Sequence, residues 1–221
     1  MATARSEPRG DRIPDGARRT RAKDPAAYRP QPARDGPDFW PTPRCLIVAL
    51  VQHMLPVLPP GITIWECTAG DGRLAGAIAA TGRTVIETDL FPQDGSAPRD
   101  FVHNDVPVAA IGAVVVANPP GNQLDAFIAR GLQLLDCGLI SGLVLLLRLD
   151  HLQACDRVDA LNRASWEVRC NWRQWIAGSK GNPRWSSHWI AWLPRCVPRR
   201  PPLYLREVDL AQPGLFPGAG Q

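Results

Sequence analysis

Asn118-Pro119-Pro120 follows the apolar run Gly112 to Ala117. A proline disfavours helical geometry in the residue before it, so Asn118 is held extended at the end of that run with its amide projecting outward. The amide oxygen of Asn118 and the carbonyl of Pro119, which has no neighbouring ladder to join, make an acceptor pair suited to an NH2 group. Gly70 lies 48 residues earlier, in the stretch Glu66-Cys67-Thr68-Ala69-Gly70-Asp71-Gly72-Arg73-Leu74. Its pattern, Gly70-x-Gly72-x-x-Ala75, lets the backbone approach a ligand closely and precedes a helix start, where polar and anionic groups are favoured. Asp89, in Glu87-Thr88-Asp89-Leu90, offers a carboxylate that can accept both hydrogen bonds of a ribose diol. The glycine loop and Asp89 together are expected to bind a nucleoside cofactor.

These groups can work together only if the fold brings them to one edge. The pattern predicts a helix over Leu46 to Leu58, a strand over Ile62 to Glu66, a short helix over Leu74 to Ala80 and a second strand over Thr84 to Thr88. Gly112 to Ala117 reads as a buried strand, Leu124 to Leu135 as a helix, and Ser141 to Leu149 as another buried strand. Strands that are apolar throughout, alternating with helices, imply an α/β, doubly wound, mostly parallel sheet covered on both faces. Ligands of such sheets bind beyond the carboxyl ends of the strands. The glycine loop, Asp89 and Asn118 all fall there.

Charge divides the chain. Its net +4 is the sum of unequal blocks: nine Lys or Arg against five Asp or Glu over 1–37, seven against 13 over 38–162, nine against one over 163–206, and none against two over 207–221. The basic later block suits a polyanion. Residues 1–37 carry few large apolar side chains and are expected to form a disordered basic arm. A domain is expected over 38–194, its cofactor and catalytic part at 38–162 and its basic, tryptophan-rich part at 163–194, followed by a Pro/Gly-rich tail over 195–221. Six cysteines show no metal-ligand spacing, so free thiols and no metal are expected. The longest apolar run, Ile140 to Leu147, is far shorter than the roughly 20 residues of a membrane helix, and the expected location is the cytoplasm.

At this point the residues resemble the class I S-adenosylmethionine-dependent methyltransferases, and among them small phage or prophage-type DNA N6-adenine enzymes. The resemblance covers roughly 38–194. It implies a Rossmann-like fold, S-adenosyl-L-methionine as cofactor and DNA as partner. It also implies that Asn118, Pro119 and Pro120 form the catalytic loop and that Glu66, Ala69, Gly70 and Gly72 form the cofactor loop. Asp89 with Leu90 is similar to the family's ribose-binding end of the second strand, and Asp100-Phe101 to its pair near the cofactor adenine. Trp40, Thr42 and Pro43 resemble its Thr-Pro segment over the cofactor methionine, and Asn118 also touches the cofactor in this likeness.

One departure stands out. The loop continues with Gly121, where the family has an aromatic that stacks on the extruded base. Six of the eight tryptophans fall between Trp166 and Trp192, and the aromatic surface is sought there. Trp189 and Trp192 are expected in the core. Trp172, Trp175, Lys180, Arg184 and Trp185, with Gly121, are expected to contact substrate, and His188 is expected to be a hydrogen-bonded structural histidine. Two other readings stay open: a methyltransferase of this fold acting on RNA, protein glutamine or a small molecule, and a non-catalytic protein that binds the cofactor or nucleic acid.

Overall fold

The computed structural model describes residues 41–171, 186–194 and 196–206. Pro43, extended at φ −60° and ψ 143°, precedes the first helix, α1 (Arg44–Ala49). The helical path then widens into a π turn, Leu50–Met54, and tightens into a 3₁₀ turn, Leu55–Val57. Pro56 lies in that last turn and has no N–H to continue an α ladder. The predicted single helix is therefore three helical segments in series.

After it come β1 (Ile64–Glu66), α2 (Arg73–Ala79), β2 (Val85–Glu87), β3 (Val114–Ala117), α3 (Leu124–Asp136) and β4 (Gly142–Arg148). A short helix, α4 (Val158–Asn162), leads to β5 (Trp166–Asn171), β6 (Ser187–Trp192) and β7 (Leu203–Arg206). The seven strands form one sheet in the order β2-β1-β3-β4-β6-β5-β7. All pairings are parallel except those of β6, which runs against β4 and β5. The sheet is α/β and mostly parallel, as its solidly apolar strands predict.

Alternation along the strands feeds two cores. Val114 and Val116, Val144 and Leu146, and Trp189 and Ala191 face α1, its following turns and α2. Val115 and Ala117, Leu143, Leu145 and Leu147, and Ile190 and Trp192 face α3 and α4. Each large apolar side chain fully buried in this way contributes about 1.5–3 kcal/mol. Helix α3 approaches the sheet most closely at Gly131, where a Cβ would lie 2.5 Å from Leu143 Cδ2.

The segment expected at 163–194 contributes β5 and β6 as integral strands, and Trp189 and Trp192 are buried in their cores, as expected. Within the expected tail, Leu203–Arg206 pairs in parallel with β5 as an edge strand. The preceding prolines do not prevent this, since an edge strand needs donors on one side only. The expected arm at 1–37 lies outside the described residues.

Candidate active site

The chain leaves β1 toward β2 on one side and places β3 on the other. The carboxyl ends of β1 and β3 thus flank a topological switch point, the preferred ligand position of such sheets. Glu66 ends β1 and Asn118 follows β3. A chain of hydrogen bonds connects them. Thr68 Oγ1 donates to Glu66 Oε1 at 2.9 Å, and the Asn118 backbone N–H donates to Thr68 Oγ1 at 3.2 Å. The Asn118 amide nitrogen donates to Thr42 Oγ1 at 3.3 Å. Nδ2 thus faces Thr42, and Oδ1 is the acceptor atom of the amide.

Glu66 is fully buried, and its Oε2 has no hydrogen-bond partner among the described residues. Burial pushes its pKa up to about 8 against the lowering effect of Thr68, with the charges of Glu87 and Asp89 adding to the rise. A buried carboxyl with an unsatisfied oxygen is costly, so the position favours a cationic or hydrogen-donating group from outside the chain. Beside it, Gly70 and Gly72 take positive φ of 54° and 73°. Gly72 caps α2 from the left-handed region, which a residue with a Cβ enters at a cost. The turn is locked to β2 by Gly70, whose N–H donates to Asp89 Oδ2 at 2.8 Å. Asp89 Oδ1 accepts the Phe91 N–H at 2.7 Å. Each carboxylate oxygen keeps further acceptor capacity, because an ionised Asp offers about four lone-pair sites.

A cleft of about 280 Å³ opens over this turn, lined by Ala69, Gly70, Gly72, Glu87, Thr88, Asp89 and part of the stretch 92–96. Thr42, Glu66, Thr68 and Asn118 do not line it. Leu90 is half-buried next to Asp89.

No protein-family model matches this chain, and no curated protein matches it in sequence. Solved structures do. The 23S rRNA methyltransferase ErmE matches with a TM-score of 0.50 at 15% identity, over 74% of this chain and 72% of that one. A putative class I S-adenosylmethionine-dependent methyltransferase from Listeria monocytogenes matches with a TM-score of 0.53 at 12% identity, over 82% and 70%. The fold is that of the class I methyltransferases. Identities this low establish the fold and nothing finer.

Within that methyltransferase fold, the expected site residues separate into groups. Ala69, Gly70, Gly72 and Asp89 meet around the cleft, while Thr42, Glu66 and Asn118 share the hydrogen-bonded chain. Pro43 stands between Thr42 and α1, Pro119 is buried, and Pro120 accepts the Gln123 N–H at 3.0 Å to open a 3₁₀ turn over Gly121–Gln123. Asp100 and Phe101 do not line the cleft. Asp100 Oδ1 accepts the N–H groups of Val102 and His103. Phe101 is buried against Trp65 and stacked on Phe127 at 4.9 Å. Both support the wall of the site through packing and turn structure.

The aromatic search also changes. Trp189 and Trp192 are buried, their indole N–H groups donating to Leu46 O and Ala160 O, each at 2.7 Å. Trp166 is buried too, donating to Pro201 O at 3.0 Å under the Arg200 guanidinium. It offers no face to a substrate base. His188 is a hydrogen-bonded structural histidine, 2.5 Å from Glu167 and 3.2 Å from Ser186. Trp40, Trp172, Trp175, Lys180, Arg184 and Trp185 lie outside the described residues. Two participants escaped the sequence reading. Thr68, the link between Glu66 and Asn118, sits inside the quoted loop, but a lone threonine gives no sign of its partners. Thr88 is the other, accepting the Trp65 indole N–H at 2.9 Å.

Among the described residues, no three His, Cys, Asp or Glu side chains converge as a metal site, and no helix is long and apolar enough to cross a membrane. No disulfide joins any of the cysteines among the described residues.

Proposed function

We propose that the chain is an S-adenosyl-L-methionine-dependent methyltransferase whose acceptor is an exocyclic amino group, adenine N6 in DNA. The observation that carries the reading is the position of Asn118-Pro119-Pro120. The tripeptide stands at the carboxyl end of β3 beside the switch point, with Asn118 hydrogen-bonded to both Thr42 and Thr68.

The residues fit the cofactor. Gly70 and Gly72 allow close backbone approach, Asp89 retains acceptor capacity for a ribose diol, and Glu66, with its unsatisfied Oε2, would hold the ammonium of the methionine part. When bound, S-adenosylmethionine supplies an electrophilic methyl group. The remaining work falls to the chain. Adenine's NH2 is a weak nucleophile, because its lone pair is delocalised into the ring. Asn118 Oδ1 and the Pro119 carbonyl accept its two N–H groups, which favours a pyramidal nitrogen and directs the lone pair toward the methyl. Thr42 keeps the amide from rotating and Thr68 anchors its backbone. The nitrogen would take up the methyl as the methyl–sulfur bond breaks and would then give up one proton to water, so catalysis is positioning and electrostatics, with no strong base. A base in duplex DNA must first be extruded, at a cost of a few kcal/mol.

Gly121 favours a second reading, in which the same machinery methylates RNA, protein glutamine or a small molecule. Methyl-labelled cofactor offered with unmethylated DNA, with RNA and with cell extract separates the two. Label on DNA supports the proposal, label on another acceptor supports the second reading, and no label on any supports a binding protein.

A further inference from the structure

Gly121 ends the Asn-Pro-Pro-Gly loop without a side chain, and the His151 imidazole lies beside the point from which a side chain would start. A Cβ at Gly121 would lie 3.7 Å from Nε2 and 3.8 Å from Cε1 of His151, ordinary contact distances. The φ of Gly121 is outside the left-handed region, so backbone conformation does not demand glycine there. What glycine provides at this position is room beside the imidazole.

His151 belongs to the 3₁₀ segment Leu149–Gln153 that follows β4, and it is held from several sides. Its Nδ1 accepts the Arg148 N–H at 3.4 Å. Its carbonyl accepts from Arg157 Nη1 at 2.7 Å. Arg157 is in turn doubly bonded to Asp125 of α3, at 2.5 and 3.0 Å. Arg148 is doubly bonded to Asp150, at 3.0 and 2.7 Å. The ring is thus surrounded by two cations and two anions that largely satisfy each other.

Because Nδ1 accepts, the neutral ring carries its proton on Nε2, the nitrogen nearer Gly121. Burial, with Arg148 adding to it, lowers the pKa below the usual histidine range, despite the opposing charges of Asp150 and Asp125. At pH 7 the group is a neutral, flat, half-buried ring. The other rings of β5 and β6 are committed elsewhere: Trp166, Trp189 and Trp192 are buried with donated N–H groups, and His188 is 2% exposed.

We infer that His151 replaces the missing side chain of residue 121, supplying the flat face against which the acceptor base is positioned. The inference rests on the proposal that the chain methylates a base. His151 is on this account a substrate-positioning residue, and Asn118 remains the group that holds the reacting nitrogen.

Four proteins test it: wild type, His151→Ala, His151→Phe and the double variant Gly121→Phe/His151→Ala. Each is measured for methyl transfer to unmethylated DNA, for DNA affinity by fluorescence anisotropy and for cofactor affinity by calorimetry. His151→Ala is expected to lower kcat/KM for DNA roughly five- to 150-fold, the range for losing one base-stacking partner, with cofactor affinity unchanged. His151→Phe is expected to keep most of the activity. The double variant is expected to regain it, because the ring is restored from position 121. If wild type transfers methyl to DNA and His151→Ala matches it, the functional proposal stands and this inference is overturned. Failure of both phenylalanine variants to exceed His151→Ala also overturns it. A wild type that methylates no base overturns the functional proposal, and the inference with it.

Discussion

Replacing Glu66 with glutamine exchanges a buried carboxyl that can ionise for an isosteric group that cannot. Burial holds the folded-state pKa at about 8 against a reference of 4.5. Between those values the native state keeps a proton that the unfolded chain has released, so rising pH favours unfolding. The contribution of Glu66 is therefore least unfavourable below pH 4.5 and worsens until about pH 8. At about 1.4 kcal/mol per pH unit, the wild type loses on the order of 3 kcal/mol by pH 7 and 4–5 kcal/mol by pH 8 relative to a chain without this ionisation. Urea denaturation of both proteins at pH 5, 6, 7 and 8 reads the effect. Other titrating groups cancel in the difference between variants, as does any fixed cost of burying the amide. The advantage of Glu66→Gln is expected to grow by about 1.4 kcal/mol for each pH unit across this window. A difference that stays flat from pH 5 to 8 refutes the reasoning. The cofactor adds a second signature: an ammonium placed at Glu66 favours the ionised form. Binding at pH 7 is then expected to release close to one proton in wild type and none in Glu66→Gln, seen as buffer-dependent heats.

Asp89→Ala removes the acceptor of the Gly70 and Phe91 N–H groups as well as the proposed ribose ligand; cofactor affinity is expected to fall at least tenfold, about 1.4 kcal/mol, and an unchanged calorimetric Kd removes the assignment. Thr68→Val leaves the Asn118 N–H and Glu66 Oε1 without their shared partner. It is expected to cost about 1–3 kcal/mol of stability, and an unchanged urea midpoint contradicts that role. Trp189→Ala empties a fully buried site and removes the indole N–H from the Leu46 carbonyl, which keeps only the Leu50 N–H. Its expected cost is about 3–5 kcal/mol, and a loss below 1 kcal/mol would show that the ring is not the core element described.

The parts legible in the sequence are those whose signal is local. The run Gly112 to Ala117 announces β3 because a strand covered on both faces has no polar positions to break it. The paired glycines before α2 announce a tight turn, and Gly70 and Gly72 do take positive φ. Asn118 and Asp89 are legible because they follow such strands directly. What was hidden depends on distant partners. Thr42 meets Asn118 across 76 residues, and Phe101 is claimed by Trp65 and Phe127 rather than by the cleft. Trp166 looks like a surface indole until Pro201 accepts its N–H. The strand Leu203–Arg206 is disguised by prolines at 198, 201 and 202, although Leu203 and Leu205 alternate inward to the core near α1. The contact between Gly121 and His151 joins two loops that nothing in their spacing connects.

Mass analysis of the nucleosides from DNA incubated with cofactor, using wild type and Asn118→Ala side by side, tests the central claim most directly. The account predicts N6-methyldeoxyadenosine from wild type. It further predicts a loss of at least about 10²-fold in kcat on removing the acceptor amide, with cofactor Kd nearly unchanged. Methylated cytosine in place of adenine, no methylated base at all, or full activity from Asn118→Ala would contradict it.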